Sequence, residues 1–170
     1  FPGGNALNFS VYASMLGCDS AYMGVFGSDD GAKHVQQTLT DIGVDTSHCR
    51  IADGPNGQAI LKIEDGERVF ISSNEGGISK SVPMEVIFDD LDYLQSFSIV
   101  HTGTYSHMDL YLSKMKQLDP LNSYDYTDDF DRDYALSLCQ YKDFGFFSCS
   151  EWVEKAAIEL LEEDVNRGCT

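Results

Sequence analysis

The chain has 170 residues, enough for one domain with a sizeable core, and its 42% apolar and 12% aromatic content fits a folded protein. Twenty-eight acidic residues against 11 basic ones leave a net charge of -17, which argues against nucleic acid and anionic membranes as partners. No apolar run is long enough to span a bilayer. Five scattered cysteines without a Cys-x-x-Cys pair predict small, buried, reduced thiols in a cytoplasmic setting, not a zinc site.

Phe1-Pro2-Gly3-Gly4-Asn5 opens directly onto a helix predicted over residues 6–16, with Leu7, Val11 and Leu16 apolar and Gly17 as its stop. Gly3 and Gly4 carry no Cβ, so a ligand can approach the backbone there. Asn5 and Asn8 bring amide donors and acceptors to the same spot, the groups that read hydroxyls. The positive end of the helix points at that place too.

Residues 21–26 read as a buried strand, followed by a turn over 27–31 in which Ser28 or Asp29 is the N-cap. Val35, Leu39 and Ile42 recur at helical spacing, and Gly43 ends that helix. Residues 50–52, 58–63 and 68–72 read as strands, with an Asp65-Gly66 turn making the last two a hairpin. Ala59, Leu61 and Ile63 would share one face of it, and Ile60 and Lys62 the other. The region over about 49–75 therefore predicts a small flap set among α/β units.

Helix and strand then alternate. Helices are predicted over 86–94, 109–117, 131–140 and 151–165, and strands over 96–101, 122–126 and 143–147. In the last helix Val153, Ala157, Leu160 and Leu161 form the apolar face. Phe1 lies on a loop just before a helix and Arg167 to Thr170 read as the entry to a strand. The expectation is one domain over 1–170, incomplete at both ends.

The opening string resembles the first signature of the PfkB/ribokinase sugar kinases, met by Gly3, Gly4, Asn5, Ala6, Asn8, Ser10, Gly17 and Gly27. The order of elements resembles that family along nearly the whole chain. The resemblance implies an α/β, ribokinase-like three-layer sandwich with a β-flap that closes as a lid and excludes water. It implies transfer of a phosphoryl group from ATP, with Mg2+, to a primary hydroxyl of a sugar. Gly3, Gly4, Asn5 and Asn8 would hold sugar hydroxyls.

The tetrad Ser148-Cys149-Ser150-Glu151 stands where the family shows Asn-x-x-Glu, so Glu151 would help order magnesium through water. Its bland reading is an acidic residue in the first turn of a helix. Asp125, Asp128 and Asp129 end a strand on the family's active-site edge, with a helix N-cap as the alternative. His101 and His107 flank Thr102-Gly103-Thr104-Tyr105 and would line the same pocket unless they are structural.

Pro2 to Asn8, Ile99-Val100-His101-Thr102 and Tyr124 to Asp128 resemble the fructoselysine 6-kinase branch. That implies a fructosamine substrate, whose ammonium group would suit Glu75. The family's Gly-Ala-Gly-Asp segment, which supplies the anion hole and the catalytic Asp, does not occur in these 170 residues. The chain alone is therefore expected to be inactive, and to self-associate as a homodimer through the lid or an exposed sheet edge. A non-catalytic sugar-binding or interaction module is the alternative, as is a kinase acting on fructose, ribose or a nucleoside.

Overall fold

The computed structural model describes residues 1–128 and 130–169, with the side chains of Glu67 and Arg68 outside that description. The chain forms two compact units, Phe1–Ile87 and Phe88–Thr170.

In the first unit α1 (Asn5–Met15) follows Gly4, whose φ of 111° is left-handed territory that favours glycine. Gly17 then ends the helical path, with the Cys18 amide donating to the Ala13 carbonyl at 3.0 Å. Leu7 is buried, but Leu16, expected on the apolar face, is exposed because it lies beyond the last helical turn. The strand expected over 21–26 shrinks to β1 (Val25–Phe26) plus an isolated bridge from Ala21 to Asp45. Residues 22–24 lie outside strand pairing, with a bend at Gly24, and glycine weakens a strand.

Helix α2 (Asp30–Ile42) begins with Asp29 as N-cap, its carboxylate accepting the Ala32 amide at 2.8 Å. It ends at Gly43 in the left-handed conformation. Leu39 and Ala32 are buried with Leu7, Phe26 and Val44 to form this unit's core. Strand β2 (Arg50–Ile51) pairs parallel with β1.

Strands β3 (Ala59–Glu64) and β4 (Glu67–Ser73) form the expected antiparallel hairpin. Asp65 and Gly66 both take positive φ, as a type I′ turn requires. A bulge falls between Ile60 and Leu61, so the pairing passes from Ile60 opposite Ser72 to Leu61 opposite Phe70. Neither face is buried, since Ile60, Leu61, Ile63, Phe70 and Ile71 are each at least half exposed.

The helix expected over 86–94 is a 3-10 run, Met84–Asp90, followed by α3 (Leu91–Gln95). Asp90 leaves helical space with φ -109° and ψ 48°, and aspartate is a weak helix former.

In the second unit β5 (Ile99–Gly103), β6 (Leu121–Asp125) and β7 (Phe144–Phe146) make a parallel sheet in the order β5-β6-β7. The first crossover holds a 3-10 turn (Asp109–Tyr111) and α4 (Leu112–Met115) where one helix over 109–117 was expected. Tertiary bonding accounts for the break: Tyr124 and Tyr134 donate their hydroxyls to Asp109 at 2.6 and 2.7 Å.

The second crossover is α5 (Arg132–Leu138), capped by Asp131, whose carboxylate accepts the Tyr134 amide at 2.8 Å. Helix α6 (Glu154–Asn166) follows β7. It buries Leu160 and Asp164 while Val153 and Leu161, expected on its apolar face, are exposed. An aromatic stack underlies the sheet end, with the Tyr126 and Phe147 rings parallel at 4.5 Å. The five cysteines are unbridged thiols; Cys139 and Cys169 are buried as expected, Cys49 and Cys149 are half-buried, and Cys18 is exposed.

Candidate functional site

In the first unit Gly3, Gly4, Asn5 and Asn8 gather at the start of α1. No side chain caps this helix and its first turn carries no acidic residue. The Asn8 amide closes the first turn on the Gly4 carbonyl at 2.8 Å, and its side chain is exposed. Nothing lies within 4 Å of a Cβ built on Gly3, and its φ is not left-handed, so neither packing nor backbone angle requires glycine there. What the bare backbone leaves is open space in front of uncapped amides, the arrangement that accepts a hydroxyl or an anion.

Glu75 stands just after β4 with a φ of 55°. Its carboxylate pairs with Lys80 at 2.9 Å, and that hydrogen bond holds its pKa below the usual carboxylate range. The group expected to meet a substrate ammonium thus already meets one from this chain. Both side chains are exposed, so the pair is weak and exchangeable.

In the second unit His101, Ser123 and Asp125 lie on one sheet face, with His101 opposite Ser123 and Gly103 opposite Asp125. His101 Nδ1 lies 2.8 Å from Ser123 Oγ, and its ring meets Phe146 edge-on. Burial pushes the His101 pKa below its ordinary value, opposed by the Asp125 charge. The imidazole is therefore neutral near pH 7.

Asp125 ends β6, and its Oδ1 accepts the Thr127 amide at 2.8 Å, bending the chain through a Thr127 φ of 60°. Gly103 is required beside it, because a Cβ there would sit 2.7 Å from the Asp125 carbonyl oxygen. Asp128 is exposed on the following loop and Asp129 lies outside the described residues. His107 is exposed, with a φ of 54° at the end of a 3-10 turn.

Glu151 departs from expectation in its setting. It sits in a turn, and the helix starts only at Glu154. The Trp152 ring stacks on Phe130 at 5.1 Å and its amide donates to the Cys149 carbonyl at 3.0 Å, which holds this stretch out of the helix. Ser148 is tied back to the end of β6, its amide donating to the Thr127 carbonyl at 2.8 Å. Among the described residues no three His, Cys, Asp or Glu side chains gather as a metal-holding group. A shallow concavity along α6, lined by Glu154, Lys155, Ile158, Glu159 and Glu162, contains none of the candidates.

Sequence reasoning missed two polar clusters. One joins Asp29, Asn56 and Asn74 at the foot of the hairpin. The other is a buried pair, Lys142 with Asp164. Their members lie far apart in sequence and no local pattern announces them.

Comparison with known proteins agrees with this architecture. The pfkB family carbohydrate kinase pattern matches residues 1–154. Fructosamine kinase FrlD of Bacillus subtilis is 35% identical over 163 residues, covering 95% of this chain and 57% of that protein. Fructoselysine 6-kinase of Escherichia coli is 28% identical over 160 residues, covering 94% of this chain and 60% of its own length. The chain thus spans somewhat over half the length of these curated relatives.

Among solved structures, a ribokinase from Giardia lamblia superposes with a TM-score of 0.78 at 14% identity, over 98% of this chain and 56% of that one. A fructokinase from Xylella fastidiosa with bound ATP gives 0.74 at 18% identity, over 96% of this chain and 57% of that one. The fold is therefore ribokinase-like and mixed α/β. With a family pattern matched from the first residue to within α6's first turn, the chain belongs to the pfkB family of carbohydrate kinases.

Proposed function

We propose that the intact protein is an ATP-dependent sugar kinase that phosphorylates a primary hydroxyl of a fructosamine such as fructoselysine. The observation that carries this reading is the uncapped start of α1, where Gly3, Gly4, Asn5 and Asn8 offer amides to an open space, inside a chain of the pfkB family. Asn8 and Asn5 would bind sugar hydroxyls, and the amides of the first turn would orient them. The β3–β4 hairpin would act as the lid that excludes water. In the second unit Asp125, Asp128 and His101 would be substrate-binding residues, on a parallel sheet of the kind that binds ligands at its carboxyl edge. The fructosamine assignment draws on the name and the 35% identity of the Bacillus subtilis relative.

ATP supplies the phosphoryl group in this reading, and Mg2+ its charge neutralisation. Glu151 stands on an exposed turn and would help order Mg2+ through water. The anion hole and catalytic Asp would come from a Gly-Ala-Gly-Asp segment that these 170 residues do not contain. Cytoplasmic placement accords with the unbridged thiols.

Initial rates with ATP and Mg2+ test the assignment, on this chain and on a version extended to the length of its relatives. Fructoselysine, fructose, ribose and a nucleoside form the panel. The expected result is turnover only in the extended version, fastest with fructoselysine. Fastest turnover of fructose, ribose or a nucleoside would move the substrate while keeping the kinase.

The exposed apolar side chains of the hairpin, Leu61, Ile63 and Phe70 among them, support self-association through the lid. Light scattering of the 170-residue chain is expected to give a dimer or larger species. A stable monomer at micromolar concentration contradicts this.

A further inference from the structure

We propose that Asn56 is a positioning residue that fixes the angle at which the β3–β4 hairpin is mounted on the first unit. The hairpin has almost no packing to hold it, since all of β3 is exposed. Two-stranded hairpins are marginal alone, so its orientation must come from its feet. There the polar groups converge on Asn56. Its side-chain Oδ1 accepts the Gly27 amide at 3.0 Å, which ties it to the turn between β1 and α2. Its own amide donates to Asp29 Oδ2 at 3.0 Å. Its carbonyl accepts Asn74 Nδ2 at 2.7 Å, which ties it to the exit of the hairpin.

Asp29 is thereby divided between two tasks. Oδ1 caps α2 through the Ala32 amide, and Oδ2 holds the hairpin foot. Asn74 completes the clasp, since its Oδ1 accepts the Gln58 amide at 2.8 Å. The fit is close: it excludes a side chain at residue 27 and is tight at residue 57. A Cβ on Gly27 would lie 2.5 Å from the Asn56 amide nitrogen, and one on Gly57 would lie 3.2 Å from the Gly76 backbone. The entry strand is thus bonded on both sides.

On the exit side Glu75, Gly76 and Gly77 run consecutively through left-handed angles of 55°, 94° and 60°, and the Ile78 amide donates to the Pro55 carbonyl at 2.8 Å. The hairpin is therefore held at both feet, and Asn56 is the post they share. That the hairpin covers a sugar rests on the kinase reading above; the mounting does not.

Hydrogen exchange on the full-length protein tests the mounting directly. N56A removes the acceptor for Gly27, and N74A independently opens the exit side of the clasp. N56A is expected to speed exchange across residues 59–73 about tenfold, the scale of one lost hydrogen bond, and N74A, which removes two, at least as much, with α2 amides unchanged in both. N56D keeps the acceptor and is expected to restore most of the protection. In turnover assays N56A is expected to raise KM for the sugar about tenfold and leave KM for ATP unchanged.

Hairpin exchange within twofold of the parent in both N56A and N74A overturns the proposal. Equal acceleration in α2 overturns it too, because Asn56 would then serve the whole unit. If the parent protein turns over no sugar, the kinase reading fails, and exchange alone decides the mounting.

Discussion

Replacing Lys142 with alanine is expected to destabilise the protein by about 3–5 kcal/mol, the usual loss when one member of a buried ion pair is removed. Lys142 is 2% exposed and Asp164 3%. The ammonium lies 2.8 Å and 3.0 Å from the two carboxylate oxygens. It also lies 4.8 Å from the centre of the Tyr126 ring, close enough for a cation–π contact.

Cys139 donates its thiol hydrogen to the same carboxylate. Burial first, and the Asp164 carboxylate second, push the Cys139 pKa up to about 12, so it remains a neutral donor. Alanine at 142 would leave the Asp164 carboxylate buried without its cation. The double variant Lys142→Met with Asp164→Leu removes both charges and is expected to lose far less than the single one, within about 2 kcal/mol of the parent. Urea unfolding of the three proteins reads the difference. Equal losses in the single and double variants would mean that the charges do not depend on one another.

Gly77→Ala is expected to cost about 2–4 kcal/mol, from two terms that add at one residue. The new Cβ would lie 2.4 Å from the Pro55 carbonyl oxygen, and the backbone sits at a φ of 60°. Neither obstacle is a flexible side chain that can swing aside. Gly66→Ala separates the terms. Its φ is 87° but nothing lies within 4 Å of the built Cβ, so only the backbone cost remains, about 1 kcal/mol. Gly3→Ala meets neither obstacle and is expected to be neutral for stability. Melting temperatures should rise from Gly77→Ala through Gly66→Ala to Gly3→Ala. A Gly77→Ala protein as stable as Gly66→Ala would show that the hairpin foot yields easily.

What the sequence made legible was local. A cap at Ser28 or Asp29, which the structure gives to Asp29, Gly43 as stop and Asp65-Gly66 as hairpin turn each follow from the backbone angle or hydrogen bond that residue type supplies. The helix over 86–94 was misread in form because Asp90 leaves helical space, and that over 109–117 because tertiary bonds intervene. Tyr124 and Tyr134 pull on Asp109 from 15 and 25 residues away, and no window of helical periodicity contains them.

The setting of Glu151 failed likewise. The aromatic stack on Phe130 decides where α6 begins, whereas the tetrad spacing alone predicts a helix start. Of the sugar loop, the glycines and asparagines were readable as a motif. The hairpin's mounting was not, because Gly27 and Asn56 are 29 residues apart and each looks like an ordinary turn residue.

Phosphorus NMR of the extended protein's products, after incubation with fructoselysine, ATP and Mg2+, tests the central claim most directly. The account predicts ADP and one new phosphomonoester coupled to a CH2 carbon of the sugar, in equal amounts. Unaltered ATP in a sample where calorimetry shows the sugar bound would contradict it, and would make the protein a non-catalytic sugar-binding module.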